Sequence, residues 1–179
     1  MQGSFPLLKT RRLLLRQFVA TDLDNVFYGL SHPEVIKYYG VSFSSSEETK
    51  NQMKWYAELE EKGSGIFWAV CLQDNQAFAG AAGLYYINRL HRKAETGFWL
   101  LPEFWGRGLM TEAMEPVCNY GFQQLQLHRI EGFVETENSN SKKVMERLQF
   151  QYEGTQRDCE FKNGRFISLD MYARLNNKN

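Results

Sequence analysis

The stretch LLPEFWGRGLMTEA, Leu100 to Ala113, sets Gly106 and Gly108 one residue apart, directly before a run with helical periodicity. Pro102 closes the preceding strand because it has no N–H to give a ladder. The chain must then turn sharply, and glycine permits positive φ and close approach to bare backbone. The amides that open the following helix, from Gly108 to Thr111, have no partner within it and lie at the positive end of its dipole. Such a turn suits an anion, phosphate above all, and Arg107 adds a charge-assisted contact at the rim. The plainer reading of the same residues is a strand-to-helix turn and nothing more. The stretch is no P-loop, since no Lys-Ser/Thr follows, and no GxGxxG, since Thr111 stands where the last glycine belongs.

Other reactive side chains are scattered. Cys71, Cys118 and Cys159 form no CxxC pair, so reduced thiols in a cytosolic protein are expected, with neither metal nor disulfide framework. His91 and His128 read as surface residues at strand starts and His32 as a turn residue before Pro33. Trp55, Tyr56, Tyr85 and Tyr86 either line a groove or pack a core.

The elements that must position these residues follow from periodicity. LLKTRRLLLRQF reads as one strand, Leu8–Phe18; Thr21 and Asp22 are cap candidates for a helix carrying Leu23, Val26, Phe27 and Leu30; Pro33 starts a short helical turn. SSSEETKNQMKWYAELEEKG is a helix marked at both ends by serines and Gly63. GIFWAVCLQD, QAFAGAAGLYYIN and HRKAETGFWLL form an antiparallel meander. A helix over Leu109–Gln124 follows, kinked or split at Pro116, then a strand (HRIEGFVETE), a helix (NSKKVMERLQ) and a hairpin turning at Lys162-Asn163-Gly164. The order predicts one α/β (α+β) domain over residues 1–175, with a frayed tail at 176–179.

The 179 residues suffice for one domain with a real core. Twenty-one basic side chains balance twenty-one acidic ones, so nothing draws the chain to nucleic acid or acidic membranes, and RRLLLR is a strand with basic ends. No apolar run approaches the ~20 residues of a membrane span, and the start has no signal-peptide pattern. A small-molecule or protein substrate in the cytoplasm is the expectation.

Four segments in order carry a resemblance. Trp105-Gly106-Arg107-Gly108-Leu109-Met110 resembles the acetyl-CoA signature Q/R-x-x-G-x-G/A of the GNAT acetyltransferase superfamily, with Gly108 at the key glycine. With Thr111-Glu112-Ala113 after it, it is similar to the branch of ribosomal-protein N-terminal acetyltransferases. LLKTRRLLLRQFVATDLDNVFYGLSHPEVIKYYG resembles that branch's opening, HRKAETGFWLLPE its fourth strand, and ENSNSKKVMERLQF its N-x-x-S helix start. The likeness covers essentially the whole chain. Four positions depart from the pattern: Trp105, usual for that branch but unlike the superfamily consensus; Met110, which crowds a diphosphate or points inward; Gln149, where a glycine is usual; and Met145, where many relatives carry a tyrosine acid.

The resemblance implies a GNAT fold, a mixed and mostly antiparallel sheet of about seven strands flanked by helices. It implies acetyl-CoA as co-substrate, without metal, and direct transfer of acetyl to a primary amine, here a protein N-terminal α-amino group. Around HRKAE and FKNGRF the chain also looks like spermidine acetyltransferases. The rival acceptors are therefore polyamines or aminoglycosides, and a non-catalytic acyl-CoA-binding module is a further rival. Carried over by position, the backbone of Phe98, Trp99 and Leu100 would hold the pantetheine arm. Amides from Gly106 through Arg107, Gly108, Leu109 and Met110 to Thr111 would hold the pyrophosphate. Asn138 and Ser141 would face the pantetheine and sulfur. Glu95 is the base candidate, its alternative being an edge carboxylate paired with Arg92 or Lys93; Glu131 and Glu135 could share its work. Ser141 either protonates the leaving sulfur or N-caps its helix. A homodimer is allowed by analogy.

Overall fold

The computed structural model describes residues 4–176. Its centre is one eight-stranded sheet in the order β1-β2-β3-β4-β5-β6-β8-β7. The strands are β1 (Leu8–Lys9), β2 (Leu13–Arg16), β3 (Ile66–Leu72), β4 (Phe78–Asn88), β5 (Lys93–Leu100), β6 (Arg129–Glu135), β7 (Gln151–Lys162) and β8 (Arg165–Leu175). Every pairing is antiparallel except β5 with β6. A parallel pair needs a crossover, and helix α4 (Leu109–Gln123) supplies it. Helices α1 (Leu23–Ser31), α2 (Pro33–Ile36), α3 (Ser46–Glu61) and α5 (Ser139–Arg147) complete the fold.

Each face of the sheet carries its own apolar core. Trp68, Leu84, Ala94, Leu100, Met114, Ile130 and Met145 pack beneath α4 and α5. Val26, Leu30, Tyr56, Phe67, Trp99 and Leu101 pack beneath α1 and α3. Burial on both faces explains why β3 reads Ile-Phe-Trp-Ala-Val-Cys-Leu without alternation. Ser45 Oγ accepts the Glu48 N–H at the start of α3, and Gly63, at φ +62°, carries the chain out of it. The β7–β8 hairpin turns through Asn163 and Gly164, both at positive φ, as a two-residue hairpin turn requires.

Several expectations are corrected. The strand foreseen over Leu8–Phe18 is two short strands folded on each other, with Leu8 opposite Leu15; the two-residue β1 raises the strand count above seven. Asp22 stands at the α1 N-cap but does not cap it. Its carboxylate instead takes the Val19 N–H at 2.8 Å and the Arg16 guanidinium at 2.7 and 2.8 Å. Helix α4 is not divided at Pro116, because its neighbours Ala113, Met114, Val117 and Cys118 are fully buried and hold the helix in place. His91 and His128 are exposed, as expected, but lie just ahead of β5 and β6 instead of within them, and His32, expected in a turn, caps α2, its Nδ1 accepting from the Glu34 N–H. Asn176 gives its N–H to the His128 carbonyl, and the rest of the tail expected to fray, 177–179, lies outside the described residues. No helix is long and apolar enough to cross a membrane.

Candidate active site

Strands β5 and β6 run side by side only from Lys93–Arg129 to Glu95–Glu131. Beyond that point they part, leaving Thr96–Leu100 without a neighbour on the β6 side. The Leu101 N–H reaches the Ala79 carbonyl across β4. Backbone groups alternate in direction along a strand, so those of Trp99 engage β4 while those of Thr96, Phe98 and Leu100 face the gap. The Leu100 carbonyl is taken by the Trp105 indole, Nε1 to O 2.8 Å. That bond gives the bulky residue before Gly106 its purpose: it fastens the glycine turn to the end of β5. Thr96 is a gap-facing residue that sequence reasoning missed, and no local signal marks where two strands diverge.

At the mouth of the gap the turn is as the glycines require, with Gly106 at φ +72° and Gly108 at φ +70°. Amides from Gly106 to Thr111 have no acceptor among the described residues, and the first bond into α4 is Glu112 N–H to the Gly108 carbonyl. Thr111 Oγ1 is the single buried side-chain oxygen or nitrogen without a partner among the described residues. An orphaned hydroxyl among free amides at a helix N-terminus fits a diphosphate. Met110 and Leu109 point inward and are buried, so the side chain at the departing motif position does not crowd the turn. Arg107 is exposed at the rim with its guanidinium over the Phe104 ring.

Across the gap, α5 begins at Asn138, which is its N-cap; Ser141, the alternative cap, sits inside the helix. The Asn138 Oδ1 accepts the Ser141 N–H at 3.1 Å, and its Nδ2 donates to Ser141 Oγ at 2.9 Å. The hydroxyl thus acts as acceptor toward Asn138, which leaves its own hydrogen free to donate elsewhere. Met145 is buried against Gly132 and offers no acid.

Along β5, Ala94, Phe98 and Leu100 face α4, whereas Trp99 packs in the core of the opposite face. Alternation therefore puts Glu95 on the α1–α3 face, directly across the ladder from Tyr85 on one side and Glu131 on the other. Neither cation foreseen as a partner pairs with it: Lys93 binds Glu131 at 3.0 Å, and Arg92 Nε binds the Gln126 carbonyl. Burial raises the Glu95 pKa and the charge of Glu131 adds to this, against a hydrogen bond from Tyr85 and the attraction of Lys93. Burial also works on Glu131, but hydrogen bonds from Arg129 and Lys93 outweigh it and hold its pKa below the usual range. The two carboxylates thus differ: Glu131 is neutralised by cations, while Glu95 keeps an elevated affinity for a proton. Glu135 is paired with Lys162 at 2.5 Å.

On the same face, Lys162 also donates to the Lys37 carbonyl at 2.9 Å, which ties the hairpin tip to the segment after α2. Between them opens a cleft of about 400 Å³ walled by Pro33, Ile36, Tyr39, Val41 and Asn163. Of the aromatics singled out earlier, Tyr56 is core, stacked on Phe18 at 4.2 Å. Trp55 and Tyr85 are half-buried near Glu95, and Tyr86 is exposed.

The chain matches the acetyltransferase (GNAT) domain family over residues 12–151. It is 34% identical over 170 residues to the uncharacterized N-acetyltransferase YoaA of Bacillus subtilis (strain 168), covering 94% of this chain and 96% of that protein. Among solved structures it superposes with TM-score 0.87 on an acetyltransferase from Salmonella typhimurium that modifies the N-terminal serine of ribosomal protein L7/L12. Identity there is 20%, and 96% and 100% of the two chains are covered. A spermidine N-acetyltransferase from Vibrio cholerae, in complex with CoA and spermine, gives TM-score 0.82 at 24% identity, with 93% and 96% covered. The two structures share the fold with this chain, and the sequence match settles its kinship: it belongs to the GNAT acetyltransferase family.

Proposed function

We propose that the protein transfers acetyl from acetyl-CoA directly to a primary amine, and that the amine is a protein N-terminal α-amino group. The observation that carries the reading is the parting of β5 from β6 beyond Glu95 and Glu131, with the free amides and the orphaned Thr111 hydroxyl at its mouth. Coenzyme A would lie there, its phosphates on the amides from Gly106 to Thr111 and its pantetheine along Thr96, Phe98 and Leu100. When bound it supplies the thioester, whose carbonyl is the electrophile.

The chain's own residues divide the remaining work. An α-amino group, with pKa near ~7.8, is mostly protonated at pH 7 and must lose a proton before it attacks. Glu95, raised and without an ion-pair partner among the described residues, takes that proton directly or through a water on the α1–α3 face. The amides facing the gap polarise the thioester carbonyl. The leaving thiolate has a pKa near ~8.5 and needs modest help; the free hydrogen of Ser141 supplies it where relatives use tyrosine. The half-buried rings of Trp55 and Tyr85 wall the acceptor's approach.

A second reading, a polyamine acceptor, draws support from the Glu95 carboxylate standing directly across the ladder from the half-buried Tyr85 ring. Release of CoA thiol, followed with N-terminal peptides, polyamines and aminoglycosides as acceptors, separates the readings. Turnover with peptides alone supports ours, turnover with polyamines replaces it, and CoA binding without release under any acceptor makes the protein a binding module.

A further inference from the structure

Glu112 lies in the first turn of α4, where a carboxylate competes with any bound phosphate for the same amides and the same dipole. Both of its oxygens are engaged. Oε1 accepts from the Thr10 hydroxyl at 2.6 Å and the Arg12 N–H at 2.9 Å, and Oε2 accepts from Arg12 Nε at 2.7 Å. These bonds span about a hundred residues and shape the turn that splits β1 from β2. Arg12 Nη1 and Nη2 have no acceptor among the described residues, and Nη2 lies 4.0 Å from where a side chain on Gly108 would begin. The guanidinium is therefore tethered on one edge and open on the edge beside the glycine turn. Its side chain is 37% exposed, within reach of a ligand lying on the surface at the helix mouth.

We propose that Arg12 is a positioning residue of the cofactor's phosphate site: it cancels the charge of Glu112 at the helix end and turns its free edge toward the phosphate oxygens. The inference rests on the coenzyme A reading above. The planar fork of an arginine can bind a carboxylate and an anion on separate edges at once, which a lysine cannot do. Arg12 lies outside the glycine motif and reaches it only through the tertiary fold.

The test is calorimetry of the full chain with coenzyme A and, separately, with pantetheine, which lacks phosphate. Arg12→Gln is expected to weaken coenzyme A binding roughly tenfold or more while pantetheine binding stays unchanged. The double variant Arg12→Gln/Glu112→Gln is expected to recover part of that loss, since no uncompensated carboxylate remains. Equal coenzyme A affinity in folded Arg12→Gln and wild type overturns the inference, as does an equal loss for both ligands. Should Arg12→Gln fail to fold, the Arg12 Nε–Hε resonance of the wild type decides: it is expected to shift with coenzyme A and not with pantetheine, and a shift with neither overturns the proposal. A wild-type chain that binds no coenzyme A fails a different test, that of the cofactor reading itself.

Discussion

Replacing Gly108 by alanine separates backbone strain from ligand binding. The residue sits at φ +70°, and an added Cβ would meet nothing closer than Arg12 Nη2 at 4.0 Å. No steric clash enters, so the stability cost is that of a left-handed alanine, about 1–2 kcal/mol. For a chain of this size that lowers Tm by roughly 2–8 °C. Gly164, at φ +79° in the distant hairpin turn with nothing within 4 Å, is the matched control, and Gly164→Ala should show the same Tm loss. The difference lies in binding. A methyl group at the helix mouth forces a phosphate away from at least one amide, and a hydrogen bond to a charged group is worth about 1.5–3 kcal/mol, or roughly 10–150-fold in affinity. Calorimetry with coenzyme A should therefore find Gly108→Ala weakened by that factor and Gly164→Ala unchanged, with differential scanning calorimetry reporting equal losses of Tm. Equal coenzyme A affinity in the two variants would refute the placement of the phosphates at this turn.

Further outcomes are expected, each with its own readout. Glu95→Gln should lower kcat by about 10²–10⁴ with coenzyme A affinity within twofold of wild type; full turnover in the variant retires Glu95 as base. Because the Glu95 pKa is raised, the acid limb of kcat/KM should lie above the ordinary carboxylate range, activity being lost as pH falls through it. Glu131→Gln removes the neighbouring charge and frees Lys93, so a pH–rate series should find that limb at lower pH, and an unmoved limb excludes Glu95 as its source. Gln149 occupies φ +62° after α5, where a non-glycine residue is strained, and Gln149→Gly should raise stability by about 0.5–1 kcal/mol in denaturant unfolding. Finally, Glu112, Glu131 and Asp170 titrate below their ordinary values in the fold, burial in each case being outweighed by hydrogen bonds. Their stabilisation is present above the unfolded carboxylate range near ~4 and is lost as pH falls through the folded values; an unfolding midpoint independent of pH between 5 and 2 contradicts it.

Features fixed by neighbouring residues were legible in the sequence. Serine caps and Gly63 delimited α3, Asn163-Gly164 located the hairpin, and Gly106 and Gly108 announced positive φ before a helix. What escaped depends on residues far apart. Nothing in Leu8–Phe18 signals a reversal, because the turn is held by Glu112 about a hundred positions away. The end of the β5–β6 pairing leaves no local trace either, since Thr96 to Leu100 still pair with β4 on their other edge and look like ordinary strand. Glu95 could be named as a candidate from the resemblance, but its lack of a cation partner among the described residues could not, because Lys93 and Arg92 choose acceptors on other segments. Sequence showed which groups were present; tertiary structure decided which remained free.

The presence of a separate apolar core on each side of the sheet has a further effect. The glycine turn and the orphaned Thr111 hydroxyl stand at the start of α4, whereas the proposed base Glu95 and the rings of Trp55 and Tyr85 lie on the face covered by α1 and α3. Distant sites without shared partners contribute independently to stability. On the proposed function, a lineage can thus redecorate the helices on the acceptor side while the turn proposed to hold the nucleotide, on the other side of the sheet, stays untouched. One donor machinery can thereby serve many clients, each recruited by changes that its reverse side never registers.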